Sequence, residues 1–209
     1  MAKLHVATVS PPKPELITQW LSSDPTVGPL AADGLVALGA YRFDDPAEAV
    51  GIECHLLGGR DGSVLHVPVT YRAEPEASLS DHLVGTLEHS VLGTRWVYDG
   101  CADPICVGEF LHAMRTGGTQ VELIVHTDDG PVVREPNATV RGSGSEGAAR
   151  SPTDSMRLEP HRTGTVIQTG SHTINVRRIV DLNDQSAAGI ALLGAWTDQP
   201  NPVVLATLA

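Results

Sequence analysis

The stretch VGIECHLLGGRDGSVLHVPVTY, Val50 to Tyr71, decides the fold. Two runs rich in β-branched and aliphatic residues flank Gly58-Gly59-Arg60-Asp61-Gly62-Ser63, a cluster of turn formers. They read as the two strands of an antiparallel hairpin. With Leu57 opposite Val64, the residues Val50, Ile52, Cys54 and Leu56 face Tyr71, Val69, Val67 and Leu65 as one apolar surface. Glu53, His55, His66 and Thr70 then share the other, polar surface. A slip of one residue would mix the two sets, so this register is expected. Pro68 has no amide donor, which predicts an edge position or an unpaired amide on its strand.

Before the hairpin, PELITQWL (Pro14 to Leu21) puts Leu16, Ile17, Trp20 and Leu21 on one helical face, with Pro14 near the start. A short helix is expected there. A Gly- and Ala-rich region follows, up to Ala40. After the hairpin, HLVGTLEHSVLGTRWVYDG (His82 to Gly100) reads as two extended pieces, because Thr86, His89, Thr94, Gly85 and Gly93 disfavour one long helix. In the second piece Trp96 and Tyr98 share one face, while Arg95, Val97 and Asp99 share the other. The two aromatics are expected to pack under the next helix, and Glu88, His89, Arg95 and Asp99 to form a polar network at the strand ends. That helix is well marked. Asp103 is placed as N-cap, Pro104 as first residue and Gly117-Gly118 as terminator, with Ile105, Val107, Leu111 and Met114 inward. Gln120 to His126 is a further strand, turned by Asp128-Asp129-Gly130 into Val132-Val133-Arg134.

Residues 135–156 change character, with Pro, Gly, Ser and charges and almost no large apolar side chain, and predict a linker or mobile loop. Residues 157–209 are strand-rich. One hairpin joins Thr165–Gln168 to Thr173–Val180, and another joins Gly189–Trp196 to Val203–Leu208 around DQPNP. The last pair is apolar on both faces and should be covered on both. The fold class is α+β: an antiparallel sheet built from hairpins, with two packed helices. Residues 1–134 form its main part, and 157–209 complete the same domain or make a small second lobe.

The 209 residues carry a formal net charge of −11, a surface that repels phosphate backbones. Neither nucleic acid nor an anionic membrane is an expected partner. No apolar run approaches the length of about 20 residues that a span requires, and MAKLHVATVSPPKPE lacks the apolar core of a signal peptide. Three cysteines, Cys54, Cys101 and Cys106, suit reduced thiols and a cytoplasmic location.

Several motifs invite chemistry. Gly142-Ser143-Gly144-Ser145-Glu146-Gly147 spells GxGxxG, but neither a preceding buried strand nor a following amphipathic helix is visible, so it reads as linker. His55 and His66, opposite each other in the expected register, could begin a metal site with Glu53, or lie on an ordinary polar sheet face. Glu109-x-x-His112 lacks the second copy that a di-metal bundle needs and reads as a solvated helix face. Cys101 precedes a helix start, which could lower its pKa, or it is a small hydrophobe. Lysine occurs only at positions 3 and 13. Neither a P-loop nor the kinase set of strand lysine, catalytic loop and metal-binding Asp is present, so phosphoryl transfer by this chain is not expected.

The segments PPKPELITQWL, YRFDDPAEAVGIE, HVPVTYR and above all HLVGTLEHSVLGTRWVYDGCADP resemble the N-terminal cap domain of actinobacterial maltokinases and its stand-alone relatives. The resemblance runs from Gly39 to about Val125, and INVRRIV and GIALLGAWTDQPNPVVLATLA are more loosely similar to the strand-rich tail of stand-alone members. It departs at Ala102, where the family often has histidine. The likeness implies a curved antiparallel sheet, cystatin-like in outline, that in maltokinases contacts the nucleotide-binding lobe of the kinase.

These readings together predict a non-catalytic cytoplasmic module that docks on a sugar kinase or another enzyme of α-glucan or trehalose metabolism, or on a second copy of itself. A competing reading is a small-ligand binder for a sugar or a metal, using Glu53, His55, His66 and Arg72. A third is an enzyme of unrecognised chemistry. The block Glu88, His89, Arg95, Trp96, Tyr98, Asp99 and Asp103 is read as a structural motif, and no catalytic residue or cofactor is assigned.

Overall fold

The computed structural model describes residues 2–4, 8–127, 130–145, 147, 153, 155–170, 172–186 and 188–209. In chain order the elements begin with β1 (Ala2–Leu4), β2 (Val9–Ser10), α1 (Lys13–Leu21), α2 (Gly28–Ala31) and β3 (Val36–Asp44). The central hairpin follows as β4 (Gly51–Gly58) and β5 (Val64–Arg72), then a 3-10 segment (Ala77–His82), β6 (Leu83–His89), β7 (Gly93–Asp99) and α3 (Pro104–Thr116). The rest is β8 (Leu123–Thr127), β9 (Gly130–Arg134), β10 (Ala138–Gly142), β11 (Met156–His161) and β12 (Gly164–Thr169), then β13 (His172–Arg177), β14 (Ala191–Trp196) and β15 (Gln199–Leu208).

Sheet one has the order β2-β6-β7-β5-β4-β3, and sheet two β10-β14-β15-β13-β12-β11; both are antiparallel throughout. A small third sheet, β1-β8-β9, includes the parallel pair β1–β8. The fold is α+β and mostly antiparallel, with a curled half-barrel sheet, as expected.

The hairpin register differs from expectation by one residue. Leu57 pairs with Leu65, and the turn closes at Gly58↔Val64. Ile52, Cys54 and Leu56 therefore share a face with Thr70, Pro68 and His66, while Glu53, His55 and Leu57 share the opposite face with Val69, Val67 and Leu65. The physical reason is that both faces of sheet one are covered. Apolar-against-polar alternation fixes a register only where one face meets water. Pro68 sits just beyond the β5–β7 ladder, which starts at Val69↔Asp99.

One face of sheet one packs Leu57, Leu65, Val67, Val69 and Val97 under Leu16, Ile17 and Leu21 of α1 and Ala31 of α2. Its other face packs Tyr41, Phe43, Ile52, Cys54 and Leu56 against Val107, Phe110, Leu111 and Met114 of α3. The same cluster continues through α3 into Val140, Ile167, Ile174, Val176, Trp196 and Leu205 of sheet two. The layers run α1/α2, sheet one, α3, sheet two.

The start and stop signals of α3 act as read. The Asp103 side chain accepts from the Ile105 amide, and Gly117 closes the helix with φ 70°. The expected solvated face is corrected, because Glu109 is buried. The expected linker 135–156 is corrected too, since it contains β10. Ala138 and Val140 point inward in strict alternation, but they are too few and too small to register as an apolar run. The glycines beyond Val140 serve packing: a Cβ on Gly142 would collide with the Ala113 carbonyl, and the Gly144 amide donates to the Met114 carbonyl at 2.8 Å. They let the chain cross the end of α3 in contact with its backbone. The last turn is shorter than DQPNP, with Trp196 opposite Gln199 and both prolines in β15. Val203 to Ala206 are fully buried, as their apolar sequence requires.

Candidate functional site

The four residues expected to form a binding face are not brought together. His55 and His66 lie on opposite faces of sheet one, which removes the histidine pair on which a metal reading depended. Glu53 and His55 belong to a buried charge cluster below α1. Lys13 Nζ lies 2.5 Å from Glu53 Oε2, Arg42 Nη2 3.2 Å from Glu53 Oε1, and His55 Nε2 3.7 Å from Glu53 Oε2. Lys13 also stands over the Tyr71 ring, whose hydroxyl is 3.2 Å from His55 Nε2. Burial alone would raise the Glu53 pKa, but its cationic neighbours outweigh it and hold the carboxyl ionised, well below the usual carboxylate range. Burial lowers the His55 pKa despite Glu53, so at neutral pH the two cations carry the pairing.

His66 is a core histidine with both nitrogens engaged. Nδ1 lies 3.1 Å from the Arg177 carbonyl, which can only accept, so Nδ1 carries the proton. Nε2 then accepts from the Tyr41 hydroxyl at 2.7 Å. The ring stacks between Tyr41 and Phe110, and burial, helped by the Arg178 charge, pushes its pKa down to about 3. Its backbone amide donates to the Arg178 carbonyl at 2.9 Å, so His66 stitches sheet one to the end of β13.

Arg72 clamps Asp103. Arg72 Nε and Nη2 donate to the two carboxylate oxygens at 3.0 and 2.9 Å, and Thr70 Oγ1 adds a third bond at 2.8 Å. Asp103, fully buried, also caps α3. The expected network of Glu88, His89, Arg95 and Asp99 is split. Glu88 accepts from Thr94, His89 Nδ1 accepts from two amides of the β6–β7 turn, and Arg95 donates to the Leu92 carbonyl. Asp99 lies at the far end of β7 and pairs with Arg178 at 2.8 Å. Trp96 and Tyr98 share a face as expected, but they pack with Leu79 and Ala102 rather than under α3, and the Tyr98 hydroxyl accepts from the Glu76 amide.

The block from α2 to the Asp103 clamp is thus one continuous structural unit, holding five of the six strands of sheet one. Residues 26–103 match the maltokinase N-terminal cap domain. No curated protein matches the chain. The match to the cap domain stops at Asp103, so α3 and sheet two lie outside it. Ala102, where the resemblance leads one to expect histidine, is buried against Leu79 and Tyr98, and an imidazole there would displace them. The thiols of this region are buried as well, and burial pushes Cys101 up to about 12, against the lowering that a helix start would produce.

Where sheet one meets sheet two, a cleft of about 150 Å³ opens among Trp20, Asp24, His82, Asp99, Arg162 and Arg178. Arg178 was not singled out from the sequence. It follows β13, its amide donates to the Thr163 carbonyl, and its guanidinium reaches Asp99 and lies over the Trp20 ring, 5.4 Å from the centroid. Among the described residues no group of three or more His, Cys, Asp or Glu side chains is placed to hold a metal ion. Among the described residues no helix is long and apolar enough to cross a membrane.

Proposed function

We propose that the chain is a non-catalytic cap module that docks on a partner enzyme and adjusts its activity, the partner being a sugar kinase or another enzyme of α-glucan or trehalose metabolism. The observation that carries this reading is the match of residues 26–103 to the maltokinase N-terminal cap domain. The chemistry of the matched stretch agrees with it. Glu53, His66, Arg72, Asp99 and Asp103 are all committed to partners that hold the fold together. Groups so engaged specify structure and are not free to bind or transfer protons. The surface offered for docking is the tip of the β6–β7 hairpin, where Val91 and Leu92 are 55% and 47% exposed. Adjacent exposed aliphatics on a projecting turn suit insertion into an apolar pocket of a partner.

The test is affinity capture with the tagged chain from its host's lysate, followed by mass spectrometry and by light scattering of the protein alone. Recovery of one sugar kinase or glucan enzyme in stoichiometric amount is expected, and Val91→Asp with Leu92→Asp should abolish it at unchanged melting temperature. Recovery of only the chain itself, or capture indifferent to the double variant, would overturn the proposal.

A further inference from the structure

We infer that the cleft at the junction of sheet one and sheet two is a seat for a small oxyanion, a carboxylate or a phosphate group. The inference rests on which polar groups around the cleft are already used. Both of its carboxylates accept hydrogen bonds from neighbours. Asp24 Oδ1 takes the amides of Thr26 and Val27 at 2.7 and 3.1 Å, and Asp99 takes the Cys101 amide at 3.1 Å and Arg178 Nη2 at 2.8 Å. Several donors around the cleft are not used. Arg178 Nη1 is closed off from solvent and has no hydrogen-bond partner. Among the described residues no hydrogen bond or ion pair holds the side chains of His82, His161 or Arg162, which also line the cleft. Unused donors from Arg178, Arg162 and the two imidazoles are thus gathered at one place on a chain of net charge −11.

An unpartnered guanidinium nitrogen inside a protein is costly and calls for an occupant. Two oxygens of a planar or tetrahedral anion match the guanidinium fork. Seating them requires Arg178 to turn its Nη1 edge toward the cleft while Nη2 keeps Asp99. Arg162, on the exposed turn between β11 and β12, and His161, the last residue of β11, then flank the outer side of the anion. The volume of about 150 Å³ holds a few heavy atoms, since a water takes about 30 Å³. That suits a carboxylate or phosphate group and leaves the remainder of a larger ligand at the rim.

The probes are inorganic phosphate and malonate, each titrated into the full chain at constant ionic strength against sodium chloride. Thermal unfolding and tryptophan fluorescence are read together, with Trp20→Phe assigning the optical change to the indole beside Arg178. A saturable rise in melting temperature with a Trp20-dependent fluorescence change is expected from at least one probe. Response to phosphate alone names a phosphate ligand, and response to malonate alone a carboxylate. Arg162→Ala, on a surface turn, should fold normally and weaken binding by about tenfold or more, the loss of one charge-assisted contact. Arg178→Gln should remove binding. Absence of a saturable response up to about 10 mM, an affinity too weak for a built site, would overturn the inference. An Arg162→Ala protein that responds like the parent would do the same. Either failure leaves the docking proposal standing, because the β6–β7 tip is a separate surface.

Discussion

Sheet one and sheet two are both six-stranded and antiparallel, yet they solve the burial problem differently. In sheet one the central strands are buried residue after residue, from Ile52 to Gly58 on β4 and from Val64 to Thr70 on β5. In sheet two β10 alternates buried and exposed positions without exception, and Thr139 and Arg141 face outward. The segment after β13 folds back over sheet two, with the Val204 amide donating to the Asp184 carbonyl. A sheet covered on both faces has no solvent side to receive its polar residues. Sheet one accordingly carries Glu53, His55, His66 and Thr70 inside, with Asp103 buried at the start of α3 beside it, and each has a named partner. The cost of misplacing a polar group therefore differs sharply between the two.

The contrast can be broken by substitution. Asp103→Ala would strand Arg72 and Thr70 and uncap α3, and a loss of about 3–5 kcal/mol is expected by urea unfolding, the range for breaking a buried ion pair. A loss under about 1 kcal/mol, the range of a surface pair, would make the clamp no more important than an exposed one. Acid gives a smaller effect. Burial holds the His66 pKa down to about 3 and also lowers that of His55, so both are depressed relative to the unfolded chain. Their contribution is complete above about pH 6.5 and is lost as the pH falls, because the unfolded chain then binds protons that the folded chain excludes. Between about pH 6.5 and 4.5 the fall should reach about 2–3 kcal/mol. His66→Gln should flatten most of it, and an unchanged slope would assign the acid loss elsewhere. The smallest effect is expected in sheet two, where Arg141→Ala should change stability by no more than about 0.5 kcal/mol. A larger loss there would erase the distinction between the sheets.

The same contrast explains what was legible in the sequence. The ends of α3 could be read because Asp103, Pro104 and Gly117 act locally, through orphan amides and carbonyls that every helix presents. The alternation of Trp96 and Tyr98 against Val97 and Asp99 was equally local. The register of β4 on β5 was not, because Leu56 and Leu57 are both interior and the pattern no longer distinguishes faces. That single slip placed His55 and His66 together and created a metal candidate which the fold separates. Arg178 was illegible for another reason. Its partners Asp99 and Trp20 come from distant parts of the chain, and only the meeting of the two sheets supplies them. Gly142 and Gly144 spelled a nucleotide motif because close backbone approach to a helix end and close approach to a phosphate make the same demand on a residue.

The position of α3 between the two sheets has a consequence for autonomy. A polypeptide cut at residue 103 would keep the whole of the matched stretch and lose the helix that covers Tyr41, Cys54 and Leu56. One wall of its core would then be open to water. Sheet two alone would expose the mirror wall. Neither half is expected to fold on its own. The innermost amides of α3 should exchange with deuterium only when the entire molecule opens, at one common free energy for both sheets. The boundary of the recognisable sequence and the boundary of the cooperative unit are different places in this chain.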